Sequence, residues 1–196
     1  MTNEIVKSAI ENHVGRILVA DDDEKNRRLF RSILEAEGHC VLEAADGVEA
    51  LEKALTENPD VILLDVQMPK LDGFEVCRRV RQNAQTAHIP ILMVTALDGR
   101  ADRLTGIQAG ANDFLNKPVD NFELRLRVRN AVYQQRLYNE LQNRYQELKA
   151  MAELRESLTS MIEADTEALS SLMRQPTQPE RALDGNPQEG GDHGTR

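Results

Sequence analysis

Tryptophan is absent from this chain of 196 residues, and Tyr and Phe number only three and four. Any core must therefore be aliphatic, drawn from the 40% of residues that are hydrophobic. Positive charge is also scarce: 24 Lys and Arg against 33 Asp and Glu leave a formal charge of −9. That balance argues against holding nucleic acid through its phosphates, which takes a basic surface. Cysteine is almost missing. Cys40 and Cys77 lie in or beside apolar segments and outside any CxxC or metal-ligand spacing. Two buried thiols in a reducing compartment are expected, rather than a disulfide. No apolar run nears the roughly 18 residues that read as a membrane span, and the N-terminus lacks the apolar stretch of a secretory signal. The expectation is a cytoplasmic protein that engages neither membrane nor nucleic acid. The length accommodates one domain of usual size plus an extension.

What is present begins with an alternation. Residues 1–14 hold Ile5, Val6, Ala9, Ile10 and His13 at helical spacing, the pattern of one short helix. Apolar strands are expected at Arg16–Ala20, Cys40–Ala44, Val61–Asp65, Ile89–Thr95 and Asp113–Asn116. Helical segments fall between them at Glu24–Glu37, Val48–Thr56, Phe74–Gln82 and Arg100–Ala109, with Gly38 and Gly110 as stops. Five strands alternating with helices imply an α/β fold: a doubly wound parallel sheet with right-handed crossovers, over about residues 15–135.

The third strand ends on a single carboxylate before the chain breaks at Pro69. Its apolar run, Ile62-Leu63-Leu64, suits a strand buried on both faces of the sheet. Asp65 would then lie at the carboxyl end, where open α/β sheets place their ligands. Taken alone, such an Asp serves equally well as a helix cap or turn residue. Its company changes that reading. The first strand ends in Asp21-Asp22-Asp23, the fourth in Thr95, and the fifth in Lys117-Pro118. Close carboxylates raise one another's pKa values unless a cation relieves them. Oxygen-only ligands favour a hard ion, and Mg²⁺ fits because it keeps waters and engages phosphate oxygens. A Lys and a hydroxyl beside that ion could hold the other oxygens of a phosphoryl group. Asp65 would be the nucleophile, attacking phosphorus in line to give an acyl phosphate. A hydrolase of the haloacid dehalogenase type also uses an aspartyl nucleophile, but it needs a second Asp two residues on, where Gln67 stands.

The chain at this point resembles the receiver domains of two-component response regulators (CheY-like domains). The likeness rests on Ile17 to Asp23, Leu64 to Pro69, Asp72-Gly73-Phe74-Glu75, Val94-Thr95-Ala96, Gly110 to Phe114 and Asn116-Lys117-Pro118. It implies the flavodoxin-like strand order 2-1-3-4-5. It further implies that Asp65 is the phosphoacceptor and that Asp21 and Asp22 position Mg²⁺, with the backbone carbonyl of Gln67 completing the metal shell. Thr95 matches the switch hydroxyl, Lys117 the lysine that pairs with the phosphoryl group before a cis proline, and Phe114 the aromatic switch position. Phe114 equally suits an ordinary core aromatic, and Asp23 suits the cap of the first helix. Gln67 and Leu97, two residues beyond Asp65 and Thr95, match positions that affect the water attacking the phospho-Asp. A bulky Leu97 would shield the acyl phosphate and lengthen its life; an unchanged half-life in Leu97→Asn would remove that idea. The implied partner is a histidine kinase or phosphotransfer protein.

Beyond Asn121 the pattern changes. Neither Pro nor Gly occurs between Val119 and Gln175, and apolar residues recur at steps of three and four. Leu141, Tyr145 and Leu148 form one set; Met151, Leu154, Leu158, Met161, Ala168 and Leu172 form another, with Asp165 at a seam position. The step of three at 148–151 puts the sets out of phase, a stammer that would overwind a coiled coil. A long helix with such a stripe needs a partner. A parallel homodimeric coiled coil over residues 136–173 is expected, the alternative being a helix folded back on its own receiver. Asp165 at the seam would cost stability and help fix register.

The segment Glu123 to Asn130 resembles the last receiver helix of regulators that continue into GGDEF cyclase, HD-GYP phosphodiesterase or kinase modules, none of which fits in the remaining residues. Residues 154–162 loosely resemble the approach to a kinase phosphoacceptor helix, without its His. Residues 174–196, rich in Pro and Gly, have the composition of a disordered tail. Two functions remain: a phosphorylation-controlled module that switches a coiled-coil dimer toward an unknown output protein, or a constitutive dimeric scaffold.

Overall fold

The computed structural model describes residues 14–96 and 100–173; the helix expected in residues 1–14 (Val14 apart), Leu97 and the tail from 174 lie outside them. Five strands form one sheet: β1 (Arg16–Ala20), β2 (Cys40–Ala44), β3 (Val61–Asp65), β4 (Ile91–Thr95) and β5 (Asp113–Asn116). Their order is β2-β1-β3-β4-β5, and each neighbouring pair is parallel. The connecting helices are α1 (Glu24–Ala36), α2 (Gly47–Thr56), α3 (Gly73–Gln82) and α4 (Arg100–Ala109), and α5 (Asn121–Met173) follows β5. This is the doubly wound, flavodoxin-like architecture expected from the sequence.

Alternation along each strand divides the core in two. One face gathers Leu18, Ile62, Leu64, Ile91 and Met93 beneath Ala50, Val76, Cys77 and Val80 of α2 and α3. The other gathers Ile17, Val19, Leu63 and Val94 beneath Ile33 and Leu34 of α1 and Leu124, Val128 and Val132 of α5. Every residue of β3 and β4 is buried, as a central parallel strand covered on both faces requires. Full burial of such a side chain stabilises the fold by about 1.5–3 kcal/mol.

Helix starts follow the short polar residues. Asp23, Asp46 and Asp72 each accept backbone N–H bonds from the first turn of α1, α2 and α3. Two expectations need correction. β4 begins at Ile91 rather than Ile89, because Pro90 has no N–H to give the ladder; its carbonyl still accepts from Ile62 N at 2.9 Å. Cys77 is buried as expected, but Cys40 is exposed. It opens β2, an edge strand that is only partly covered.

Two compact units are distinguished, ending and beginning at Tyr145 and Gln146. In the first, α5 is held by its buried face and by polar pins. Gly15 is needed for this approach, since a Cβ there would meet Val132 Cγ2 at 2.9 Å. The Arg136 guanidinium donates to the Val14 carbonyl, and Tyr138 stacks on His88 with ring centroids 4.6 Å apart. The second unit is described below by itself.

Candidate functional site

The carboxyl ends of β1, β3, β4 and β5 place Asp21, Asp65, Thr95 and Lys117 at one edge of the sheet. Lys117 is the centre of the arrangement. Its Nζ donates to Asp65 Oδ2 at 2.7 Å and to Asp21 Oδ2 at 2.8 Å. Residues 52 and 96 positions apart in the chain thus meet on one ammonium. The backbone guides it there, as Lys117 N donates to the Thr95 carbonyl at 2.8 Å. The Lys117–Pro118 peptide bond is cis, as the resemblance implied. Asp21, Asp65 and Thr95 are buried, whereas Asp22 is exposed.

Asp21 is fixed on every side. Asn26 Nδ2 donates to both its oxygens at 3.2 and 3.1 Å, and Asp23 N donates to Oδ1 at 2.9 Å. The Arg27 guanidinium donates to the Asp21 carbonyl at 2.7 Å and to that of Asp22 at 3.1 Å. Asn26 and Arg27 were missed by sequence reasoning. The signal was available in principle: with Asp23 as N-cap, the first turn of α1 returns Asn26 over the end of β1. Gln67 N approaches Asp65 Oδ1 at 3.4 Å, a weak bond by distance. Gly73 N donates to the Val66 carbonyl at 2.9 Å and closes the loop that follows Asp65.

Burial pushes the Asp65 carboxyl above the ordinary carboxylate range; the Lys117 hydrogen bond and charge pull it back without cancelling the rise, and Asp21 adds to it. Burial pulls Lys117 down, but its bonds to Asp21 and Asp65 outweigh that and hold it above the ordinary lysine value. An isolated ion pair would lower the acid while raising the base. Here the acid also rises, because the Asp65 side chain is the more desolvated partner, 6% exposed against 22% for Lys117. One ammonium shared by two buried carboxylates leaves the edge short of positive charge.

That shortage suits a cation. Oxygens of Asp21, Asp22 and Asp65 all lie within 4.8 Å of one another. Ligands on opposite sides of one Mg²⁺ stand about 4.2 Å apart, and its reluctance to dehydrate leaves room for water on the exposed Asp22 side. The oxygen-only donor set and its spacing therefore fit Mg²⁺.

Phe114 is buried among core residues, and the Arg103 guanidinium carbon lies 5.2 Å from its ring centroid. It packs on Gly106, where a Cβ would meet ring atom Cε1 at 2.6 Å. Phe114 is not brought to the carboxylates by any described contact. Among the described residues, no helix is long and apolar enough to cross a membrane.

Comparison with known proteins agrees with this geometry. The family model for the response regulator receiver domain matches residues 17–129. The response regulator PleD of Caulobacter vibrioides strain NA1000 / CB15N is 49% identical over 130 residues, 66% of this chain and 29% of that protein. The alkaline phosphatase synthesis transcriptional regulatory protein PhoP of Bacillus subtilis strain 168 is 48% identical over 114 residues, 58% of this chain and 47% of that protein. The chain thus spans less than half the length of these curated relatives. Among solved structures, a putative response regulator from Chloroflexus aurantiacus J-10-fl is 38% identical, with a TM-score of 0.59 over 61% of this chain and 98% of that one. The receiver domain of a sensor histidine kinase from Pseudomonas aeruginosa PAO1, with a magnesium ion coordinated in its active site cleft, is 32% identical, with a TM-score of 0.58 over 61% and 98%. In sequence motif, strand order and family match alike, the chain belongs to the response regulator receiver family.

Proposed function

We propose that Asp65 accepts a phosphoryl group from a phosphohistidine of a kinase or phosphotransfer protein, and that the product state acts on a protein partner through the C-terminal helix. The observation that carries this reading is the shared ammonium: Lys117 bridges the buried Asp65 and Asp21 at 2.7 and 2.8 Å. In the reaction an Asp65 carboxylate oxygen bonds to phosphorus while the P–N bond to the donor imidazole breaks. The bond's electron pair leaves with the imidazole nitrogen. Lys117 then exchanges its bond to Asp65 for one to a phosphoryl oxygen and keeps its hold on Asp21.

Asp21, Asp22, Asp65 and the Gln67 carbonyl would hold Mg²⁺, which when bound supplies charge neutralisation for the phosphoryl oxygens. Asn26 and Asp23 N keep Asp21 oriented. Thr95, at the end of β4, is the switch hydroxyl of this reading, and Phe114 the aromatic that follows it.

The test uses the full chain with Mg²⁺ and a beryllofluoride phosphoryl mimic. Binding and a change in solution mass or compactness are expected for the wild type and neither for Asp65→Asn. A wild type that responds to nothing would favour the constitutive scaffold.

A further inference from the structure

The second compact unit holds a helix, residues 146–173, whose described side chains are exposed except the half-buried Ser170. Met151, Leu158, Ile162 and Leu169 are each 51–66% exposed. A row of such residues on one helix face calls for a cover. Followed through apolar residues alone, the stripe slips at 148–151. Followed through Leu148, Met151, Arg155, Leu158, Ile162, Asp165 and Leu169, it steps by three and four without a break. That is a strict heptad seam, and no stammer is needed. Two of its positions are charged with opposite sign.

We infer that this seam is covered by a second copy of the chain running antiparallel, with Arg155 seated against the partner's Asp165. In a parallel, in-register pair every seam residue meets its own copy, so two Arg155 and two Asp165 would face each other. Like charges at the seam oppose that arrangement. An antiparallel pair instead seats each first-type seam position against a second-type one. Arg155 and Asp165, ten residues apart in the chain, are one of each.

The register that joins them places the two-fold axis at Ser160. It also seats Leu158 against the partner's Ile162 and Met151 against the partner's Leu169. Symmetry repeats each pairing, as a closed two-fold interface demands. One register thus matches charge with charge and apolar with apolar. The flanks agree with it. Leu154 and Met161, each 62% exposed, widen the apolar side, while Thr159 and Thr166 form an uncharged one. Lys149, Glu153, Glu156, Glu163 and Glu167 fall on the outer positions.

This inference rests on the expectation that the long helix pairs with a second copy of the chain, and it replaces the parallel arrangement expected from the stripe. The test is disulfide trapping in the full chain, with and without Mg²⁺ and beryllofluoride. The background carries Cys40→Ser, because Cys40 is exposed; Cys77 is buried and its thiol is pushed up to about 11. Met151→Cys alone is expected to stay uncross-linked on oxidation, since its copies stand far apart. Mixed with the Leu169→Cys chain, it is expected to give the mixed dimer. A cross-link in Met151→Cys alone overturns the antiparallel reading and leaves self-association standing. A monomer by mass in every state overturns both.

Charge substitution supplies a second readout. Arg155→Asp should weaken self-association about tenfold, from two lost exposed pairs and their replacement by like charges. Adding Asp165→Arg in the same chain should restore it. No loss in the single variant, or no rescue in the double, overturns the pairing.

Discussion

Gly73→Ala tests whether the loop after Asp65 is held by contact rather than by chance. Gly73 opens α3, and a Cβ built there would lie 2.2 Å from the Asp65 carbonyl oxygen and 2.9 Å from Val66 Cα. Carbon and oxygen in close contact rest near 3.3 Å, so β3 or α3 must retreat by about 1 Å. Both neighbours are backbone, and neither can rotate away. Helix propensity alone predicts the opposite sign, since Ala for Gly favours a helix by about 0.5–1 kcal/mol. Overpacking of this kind costs about 1–3 kcal/mol, and the net expected result is a lower denaturation midpoint. The function should suffer more than the fold. A reacting group misplaced by about 1 Å loses roughly a hundredfold in rate. Urea unfolding gives the first number, and the rate of Asp65 labelling by a small-molecule phosphodonor with Mg²⁺ gives the second. An unchanged or raised midpoint together with an unchanged labelling rate would refute the steric argument.

Two further predictions concern ionisation. Lys117→Met removes the ammonium shared by Asp21 and Asp65 and should destabilise the domain by about 2–3 kcal/mol at neutral pH. That lies at or below the lower end for a broken buried pair, because the Lys117 side chain is 22% exposed. The defect should shrink as pH falls through the raised Asp65 range, since a carboxyl whose folded pKa is elevated destabilises only while charged; a pH-independent defect in chemical denaturation would contradict this. His39 is held below its ordinary 6.5 first by burial, and its Nδ1 accepts from Gly15 N at 3.0 Å, which a protonated ring cannot do. The unfolded chain therefore binds the proton first, so stability is fully present above about 6.5 and falls as pH drops from there toward the folded value. His39→Gln should flatten that slope, and an identical slope would count against the bond.

Much of the fold was legible because its strands are short apolar runs punctuated by Asp, Gly and Pro. Ile62 to Asp65 read correctly as a strand buried on both faces, and Asp23 as the cap of the first helix. Legibility ended where one element depends on another. Nothing local to Cys40 says that β2 is an edge strand and leaves its thiol exposed. Pro90 could have corrected the start of β4, because it lacks a ladder donor. The site was readable as a set of strand ends, but its wiring was not. Lys117 chooses Asp21 and Asp65 only once five parallel strands are in register, and Asn26 and Arg27 join it only through the first turn of α1. The seam of the long helix was hidden differently. Arg155 and Asp165 look like interruptions until their opposite charges are placed across from each other.

The central claim is that Asp65 is the group that becomes covalently modified. The full chain is incubated with Mg²⁺ and a small-molecule phosphodonor, and its intact mass is measured, followed by mapping of the labelled peptide. A gain of one phosphoryl group on the peptide containing Asp65 is predicted, abolished by chelation of the metal and by Asp65→Asn. Labelling that persists in Asp65→Asn, or a wild type that gains nothing with metal and donor in excess, would contradict the account.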